Sequence, residues 1–241
     1  MVTRTSAKIH KWLALVLVIP ILFWFISGLF FAIAPIETVR SEHMMAEAAP
    51  VPIPMGAAAA GLAKVAASGA VPGEKIELRG MMGRTVALVS SNEARPRLYD
   101  LESGRKLSPI SASLAIAIAA RDHAGDAKPV RVEQVAGNSP EYRGALPAWR
   151  VDFDDGANRS LYVAADTGVV AARRSTLWRV FDFLWSLHIL DFKEHEDFNT
   201  PLLIGATSLA LIVIVTGIIM FPSRLGYSAW RRRRRKAHQR D

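Results

Sequence analysis

The sequence predicts an α+β protein in which two transmembrane helices flank a domain made of two αβββ repeats. Three observations lead there. Two long uncharged runs, 12–36 and 198–223, stand near the two ends. Each is long enough to cross a bilayer as a helix, for which about 20 residues suffice. Between them the order helix, three short strands, turn occurs twice.

Charge places these parts. The chain has 241 residues and a net charge of +8. Eleven cations and one acid lie in the two ends: Arg4, Lys8 and Lys11 before the first run, and Arg224, the block 231–236 and Arg240, against Asp241, after the second. The middle is therefore slightly acidic. A basic isoelectric point that belongs to the tails is no argument for a nucleic-acid partner. There are no cysteines, which excludes disulfides, thiolate metal sites and a cysteine nucleophile.

The elements follow in order. Residues 1–11 form a cytoplasmic N-terminus and 12–36 the first transmembrane helix, because Lys8 and Lys11 precede it and the positive-inside rule holds basic flanks in the cytoplasm. Ala32-Ile33-Ala34 resembles a signal-peptidase site, but the run exceeds the apolar core of a signal peptide, about 7–15 residues. An uncleaved anchor is expected. Pro20 lies inside it, and Gly28 with Ala32 offers a small surface for packing against the second span. Residues 37–54, with Pro50, Pro52 and Pro54 among alanines, read as an extended linker.

The first repeat, 55–108, opens with an alanine-rich helix. Strands are expected at 75–79, 85–90 and 97–100, and a turn at Glu102-Ser103-Gly104. The second, 109–175, has its helix at 110–123, strands at 130–135, 148–153 and 160–164, and a turn at Asp166-Thr167-Gly168. Alternation such as Trp149-Arg150-Val151-Asp152-Phe153 suits a sheet with one buried face. Each unit is marginal alone, so the two are expected to pack together.

An amphipathic helix is expected within 176–197. Trp178, Phe181, Leu184, Trp185 and His188 recur on one face, with Arg179, Asp182, Ser186 and Lys193 opposite. Such a face next to a span suits the outer membrane–water interface. The second transmembrane helix is 198–223, and 224–241 is a basic cytoplasmic tail in which Tyr227 and Trp230 form an inner aromatic belt. The block 231–236 stops transfer and attracts anionic lipid. Both termini are thus cytoplasmic, and the middle faces the periplasm of a bacterial inner membrane.

These residues carry a resemblance. LPAWRVDFDDGANRSLYVAADTGVVAARR (146–174) resembles the closing hairpin of a PepSY domain, an αβββ unit ending in a Tyr-Val-x-x-x-Thr-Gly-like turn. KIHKWLALVLVIPILFWFISGLFFA resembles the first helix of PepSY-associated transmembrane proteins, with His10 and Trp12 in its entry. LWSLHILDF followed by LIGATSLALIVIVTGIIMFPSR resembles their last helix, with His188, Asp191 and Gly217 in place. Larger members have four spans, and some resemble haem-containing reductases of iron–siderophore complexes. The resemblance implies a link to iron or siderophore uptake, and haem b as the cofactor to test.

Histidine is then the residue type to follow, because haem iron takes one or two axial imidazoles. His188 is the foremost candidate, with Asp191 to orient it and Phe181 and Trp185 as flat walls. His43 and His195 are expected on the same side. His10 is a further candidate, yet it lies across a hydrocarbon core of about 30 Å from His188 and cannot share its iron. Bis-His ligation would need His43, His195 or a second copy. The structural alternative, in which His188 and Asp191 pair to fix the helix to the domain, is preferred. The acidic run 194–197 reads as solvated charge, and Asp154-Asp155-Gly156 as a turn. No hydrolase elbow or phosphate loop is present, so no catalytic residue is expected.

Three functions follow: a non-catalytic, membrane-anchored module binding a periplasmic protein or peptide by strand addition; a haem-carrying electron-transfer subunit acting as a homodimer or larger oligomer; and restraint of a protease, the weakest of the three.

Overall fold

The computed structural model describes residues 2–47, 51–68 and 75–224. Pro50, Tyr227, Trp230, His238 and the basic block 231–236 lie outside the described residues. The chain divides into two compact units, Met1–Ile33 with Phe181–Asp241, and Ala34–Val180.

The first unit pairs α1 (Val2–Ile33) with α6 (Pro201–Arg224). The stretches Thr5–Ile33 and Pro201–Phe221 are long and apolar enough to span a membrane. Their outward surfaces carry large bare side chains: Trp12 is 63% exposed, Phe25 74% and Ile218 66%. Such surface is stable only against lipid or another apolar partner. The hydroxyls of Ser27, Thr207 and Thr216 donate to carbonyls one turn back, at Phe23, Leu203 and Ile212, as polar groups in a hydrocarbon environment must. Between the helices Leu17 and Ala206 are buried together with Leu190.

The second unit holds two antiparallel sheets. The first has the order β1 (Lys75–Met81), β2 (Arg84–Ser90), β3 (Arg97–Asp100). The second has the order β4 (Pro129–Val135), β5 (Ala148–Phe153), β6 (Ser160–Ala164), β7 (Val170–Arg174). The expected strands are present, and β7 is a fourth strand that the sequence reading did not separate from the turn before it. Its VAARR sequence has little apolar alternation, and it exists by pairing with β6 through Leu161↔Arg173 and Tyr162↔Ala172.

Period-two alternation distributes the core. On β2, Val86 joins the main core while Ala87 and Val89 face a second cluster. α3 (Met55–Ala67) supplies Val65 and Leu62 to that second cluster. It comes so close that a Cβ on Gly61 would stand 2.6 Å from the carbonyl oxygen of Leu101. α4 (Ala112–Asp122) is capped by the Ser111 hydroxyl, which accepts the Leu114 N–H at 3.3 Å. Its Ala115, Ile118 and Ala119 meet side chains of both sheets, Val86 and Leu98 from the first and Val151, Leu161 and Val163 from the second. The two sheets therefore share one core, as marginal units must. The opposite face of the second sheet buries Tyr142, Ala148, Tyr162 and Ala172. The turns after β3 and β6 are built alike: Gly104 and Gly168 take φ of 72° and 67°, and their N–H groups donate to Asp100 and Ala164.

The segment read as an extended linker is partly folded. It holds α2 (Ile36–Val39) and a 3-10 turn at Glu42–Met44. Val39 is 1% exposed, and Met45 bridges His123. The prolines lie later in the segment, so they do not oppose this.

α5 (Thr176–Ile189) starts in the second unit and ends in the first. Ser175 caps it by accepting the Trp178 N–H at 3.1 Å. It stops eight residues short of the expected end, where Leu190 takes a φ of 52°. The remainder to Asp197 is a loop.

Candidate functional site

His188 lies at the end of α5 and packs in the first unit against α1. Its ring centroid is 5.5 Å from that of Phe31 and 6.3 Å from that of Trp185, the latter stacked. Phe181 lies 4.8 Å from Phe31 and is stacked on Trp185 at 6.4 Å. The aromatic face of α5 is therefore spent on α1. The apolar side chains that α5 leaves exposed are Val180 and Phe183.

The polar contacts fix the imidazole. The Ser27 hydroxyl donates to the Phe23 carbonyl at 2.5 Å and lies 2.7 Å from His188 Nδ1. With its one proton committed, it can only accept from the imidazole. That assigns the His188 proton to Nδ1 and leaves the lone pair on Nε2. The Trp24 indole N–H donates to the His188 carbonyl at 2.7 Å. Burial pushes the His188 pKa down from its ordinary value, which also favours the neutral ring.

Asp191 is not the partner of His188. Its Oδ1 accepts the N–H groups of Lys193 and Glu194 at 3.2 and 3.1 Å, and its Oδ2 those of Glu196 and Asp197, both at 3.0 Å. Burial would raise its pKa, but the four donors outweigh burial and hold the carboxyl far below the usual carboxylate range. The residue organises the loop after α5. The expected pair fails because the chain turns left-handed at Leu190 and carries Asp191 off the helix.

His195 Nδ1 lies 2.6 Å from Asp182 Oδ2, and the Trp185 indole N–H donates to the His195 carbonyl at 3.1 Å. His188 and His195 thus both touch Trp185. His10 stands at the other end of α1, 3.0 Å from the Val213 carbonyl and 3.2 Å from the Thr216 hydroxyl. It fits a notch where Gly217 has no side chain: a Cβ there would lie 3.3 Å from the ring. The 17 residue steps from His10 to Ser27 span about 25 Å of helix. His43 belongs to the second unit, in the 3-10 turn. Trp178 also belongs there, under the Arg174 guanidinium at 4.0 Å. Among the described residues, no three histidine or carboxylate side chains converge as a metal site.

His188 and His195 each hold Nδ1 in a hydrogen bond and have no partner at Nε2 among the described residues, so either ring would have that nitrogen to offer a haem iron. The nearby rings of Phe31, Phe181 and Trp185 already pack on one another.

The second unit carries a cavity of about 260 Å³ lined by Val51, Arg79, Met81, Ile118, Asp122 and Val170 among others. Asp122 is occupied by Arg173, which donates twice, at 2.7 and 2.5 Å. Arg79 donates a terminal N–H to the Thr167 carbonyl, while its Nε is buried without a partner among the described residues. Burial lowers the Arg79 pKa, against a smaller opposing pull from Glu77. β1, which carries Arg79, is an edge strand of its sheet.

A polar cluster on the outer face of the second sheet was not foreseen. Glu141 accepts from Arg179 at 2.7 Å and from the Tyr162 hydroxyl at 2.9 Å. Arg179 and Arg150 both donate to the Ser160 hydroxyl. Burial raises the Glu141 pKa, but these donors outweigh it and the net shift is downward. Burial, then the bond to Glu141, pushes the Tyr162 phenol well up. Glu141 sits in a loop without periodic pattern, so nothing local marks it. Ser27 was detectable in principle, as a polar residue within an apolar run.

The sequence model of the PepSY-associated TM region family matches residues 7–241. No curated protein and no solved structure matches the chain. The match covers nearly the whole chain, and the chain belongs to this family.

Proposed function

We propose that this PepSY-associated transmembrane protein is a non-catalytic binding module of the bacterial inner membrane, with both termini cytoplasmic and the α+β domain in the periplasm. Its two helix-and-sheet halves are a pair of PepSY-like repeats, a reading supported by the matching turns at Gly104 and Gly168. The topology rests on the basic flanks of the two apolar helices. The domain binds an extended segment of a periplasmic protein or peptide. The observation that carries this reading is the cavity beside the β1 edge, which Arg79 helps to line: a peptide side chain would enter it while the peptide backbone extends the sheet. A place beside iron or siderophore uptake follows from the family resemblance.

The absence of cysteines makes topology directly testable. Single cysteines at Ser103 and Ala237 are labelled in spheroplasts with a membrane-impermeant maleimide. Label at 103 and none at 237 is the expected result, and the reverse overturns the orientation. Peptides selected on the purified protein from a random displayed library should lose binding to Arg79→Gln. Peptides that bind this variant as well as the wild type place the partner elsewhere.

A second reading has its own observation. The Nδ1-protonated tautomer of His188 leaves Nε2 as a ligand for haem b, with the second axial position filled by a second copy or left open. When bound, the haem would supply one-electron transfer. An absorption spectrum of protein from haem-replete cells decides it: a Soret band lost in His188→Ala supports a redox subunit, and a haem-free, folded protein sinks it.

A further inference from the structure

A second cavity of the α+β unit, of about 420 Å³, is lined by Ser68, Arg97, Tyr99, Ser103, Arg105 and Lys106 together with Gly104. We propose that it is a binding site for a phosphoryl group, recognised by Arg97, Arg105, Lys106 and the Tyr99 hydroxyl. The site is separate from the Arg79 cavity and does not depend on how that cavity is used.

The chain brings these groups together in two ways. Arg97 and Tyr99 alternate on β3 and so share the face turned toward α3; Tyr99 is 5% exposed and packs with Val65. The left-handed turn at Gly104 then folds the chain back, and Lys106 bridges Tyr99. A Cβ on Gly104 would lie 2.9 Å from the Lys64 carbonyl oxygen, so this glycine lets the turn seat against the last turn of α3.

Among the described residues these cations have no partner. The side chains of Arg97, Arg105 and Lys106 make no hydrogen bond or ion pair with another described residue. Asp100, the buried acid nearby, is committed elsewhere. It accepts the N–H and hydroxyl of Ser103, both at 2.8 Å, and lies 3.5 Å from Arg84. Nor do the three cations cap α3. Its carbonyls at Lys64 and Val65 accept from Ser68, through its N–H at 3.0 Å and its hydroxyl at 2.7 Å. The Tyr99 hydroxyl has no partner among the described residues and keeps contact with solvent.

The chemistry of the free groups selects the ligand. Arginine and lysine are donors only, and both serine hydroxyl protons are already given away. What remains are donors carrying three positive charges, on a domain that is otherwise slightly acidic. A phosphomonoester or diphosphate matches this set, with three or more acceptor oxygens and about two negative charges. The source is a lipid headgroup or a soluble phosphate ester.

The test is titration calorimetry of inorganic pyrophosphate into the full-length protein in phosphatidylcholine nanodiscs. The basic tail attracts anions too, so every form retains it and only differences are read. Arg97→Gln with Lys106→Gln should weaken binding about tenfold or more, as loss of charge-assisted contacts implies. Tyr99→Phe keeps the buried ring and should weaken it a few-fold. Arg131→Gln, which removes an exposed cation paired with Glu133, should leave it unchanged. Each variant must melt like the wild type without ligand. Equal affinity in the double variant and the wild type overturns the proposal and assigns the binding to the tail. With binding established, nanodiscs containing phosphatidic acid identify the source: competition marks a lipid headgroup, and unchanged pyrophosphate affinity a soluble ligand.

Discussion

The Ser27 hydroxyl, on α1, lies 2.7 Å from Nδ1 of His188, on α5. The two are 161 positions apart, and this bond sets which imidazole nitrogen carries the proton. Ser27→Ala removes the acceptor for a buried N–H, so a loss of about 1–2 kcal/mol is expected. Thermal unfolding in nanodiscs measures it. The ring nitrogen shifts of His188 should also move from a single Nδ1–H tautomer toward a mixture, and unchanged shifts would contradict the assignment.

His188 also makes stability depend on pH. Its pKa in the folded chain lies below the ordinary value of 6.5. The unfolded chain therefore takes up the proton first, and stability present above about pH 6.5 is lost as the pH falls through the folded value. The melting temperature should drop as the pH falls below about 6.5. His188→Asn, which keeps a donor for Ser27 and does not titrate, should flatten that drop.

Asp191 stabilises the loop after α5 only while ionised. Its folded pKa is depressed, so its contribution is complete above about pH 4 and is lost on acidification below that. Asp191→Ala strands four backbone N–H groups and should cost about 3 kcal/mol. Asp191→Asn keeps one acceptor oxygen and should cost less. Equal melting temperatures for alanine variant and wild type would contradict this role.

Glu141 joins the loop before β5 to the first turn of α5 through Arg179. Glu141→Ala leaves the Tyr162 hydroxyl without its acceptor and Arg179 without its ion-pair partner, though Arg179 still donates to the Asn158 carbonyl and the Ser160 hydroxyl. The side chains are about a quarter to a third exposed, so water offsets part of the loss and about 1–2 kcal/mol is expected. Proteolysis within residues 136–147 should accelerate in parallel.

Gly61 is where α3 touches the backbone at Leu101. A methyl group there would stand 2.3 Å from the Leu101 side chain and 2.6 Å from its carbonyl. Gly61→Ala would raise helix propensity on an exposed helix, but here overpacking prevails and a loss of about 1–3 kcal/mol is expected. Gly56→Ala, which meets nothing within 4 Å, is the control and should be neutral or slightly stabilising.

Much of the architecture was legible because it rests on local pattern. An uncharged run of span length has few soluble fates, and alternation as in Trp149 to Phe153 can bury one face only as a strand. The misses have physical causes. β7 is polar and is held by its partner strand. α5 ends early because of one left-handed residue, which hydrophobic periodicity does not register. The folded stretch around Val39 and Met45 is fixed by contacts with distant residues.

The candidate sites divide in the same way. Residue types and their order determined the two spans, their basic flanks, the strand pattern and the interest of His188. Tertiary structure alone decided that His188 meets Ser27, that Asp191 serves backbone donors, and that Arg97, Tyr99 and Lys106 line one cavity. A span or an amphipathic strand is set by the transfer energies of neighbouring residues, which can be summed along the chain. A hydrogen-bond partner is set by which distant donor and acceptor the packed backbone brings within about 3 Å, and composition and periodicity do not encode that distance.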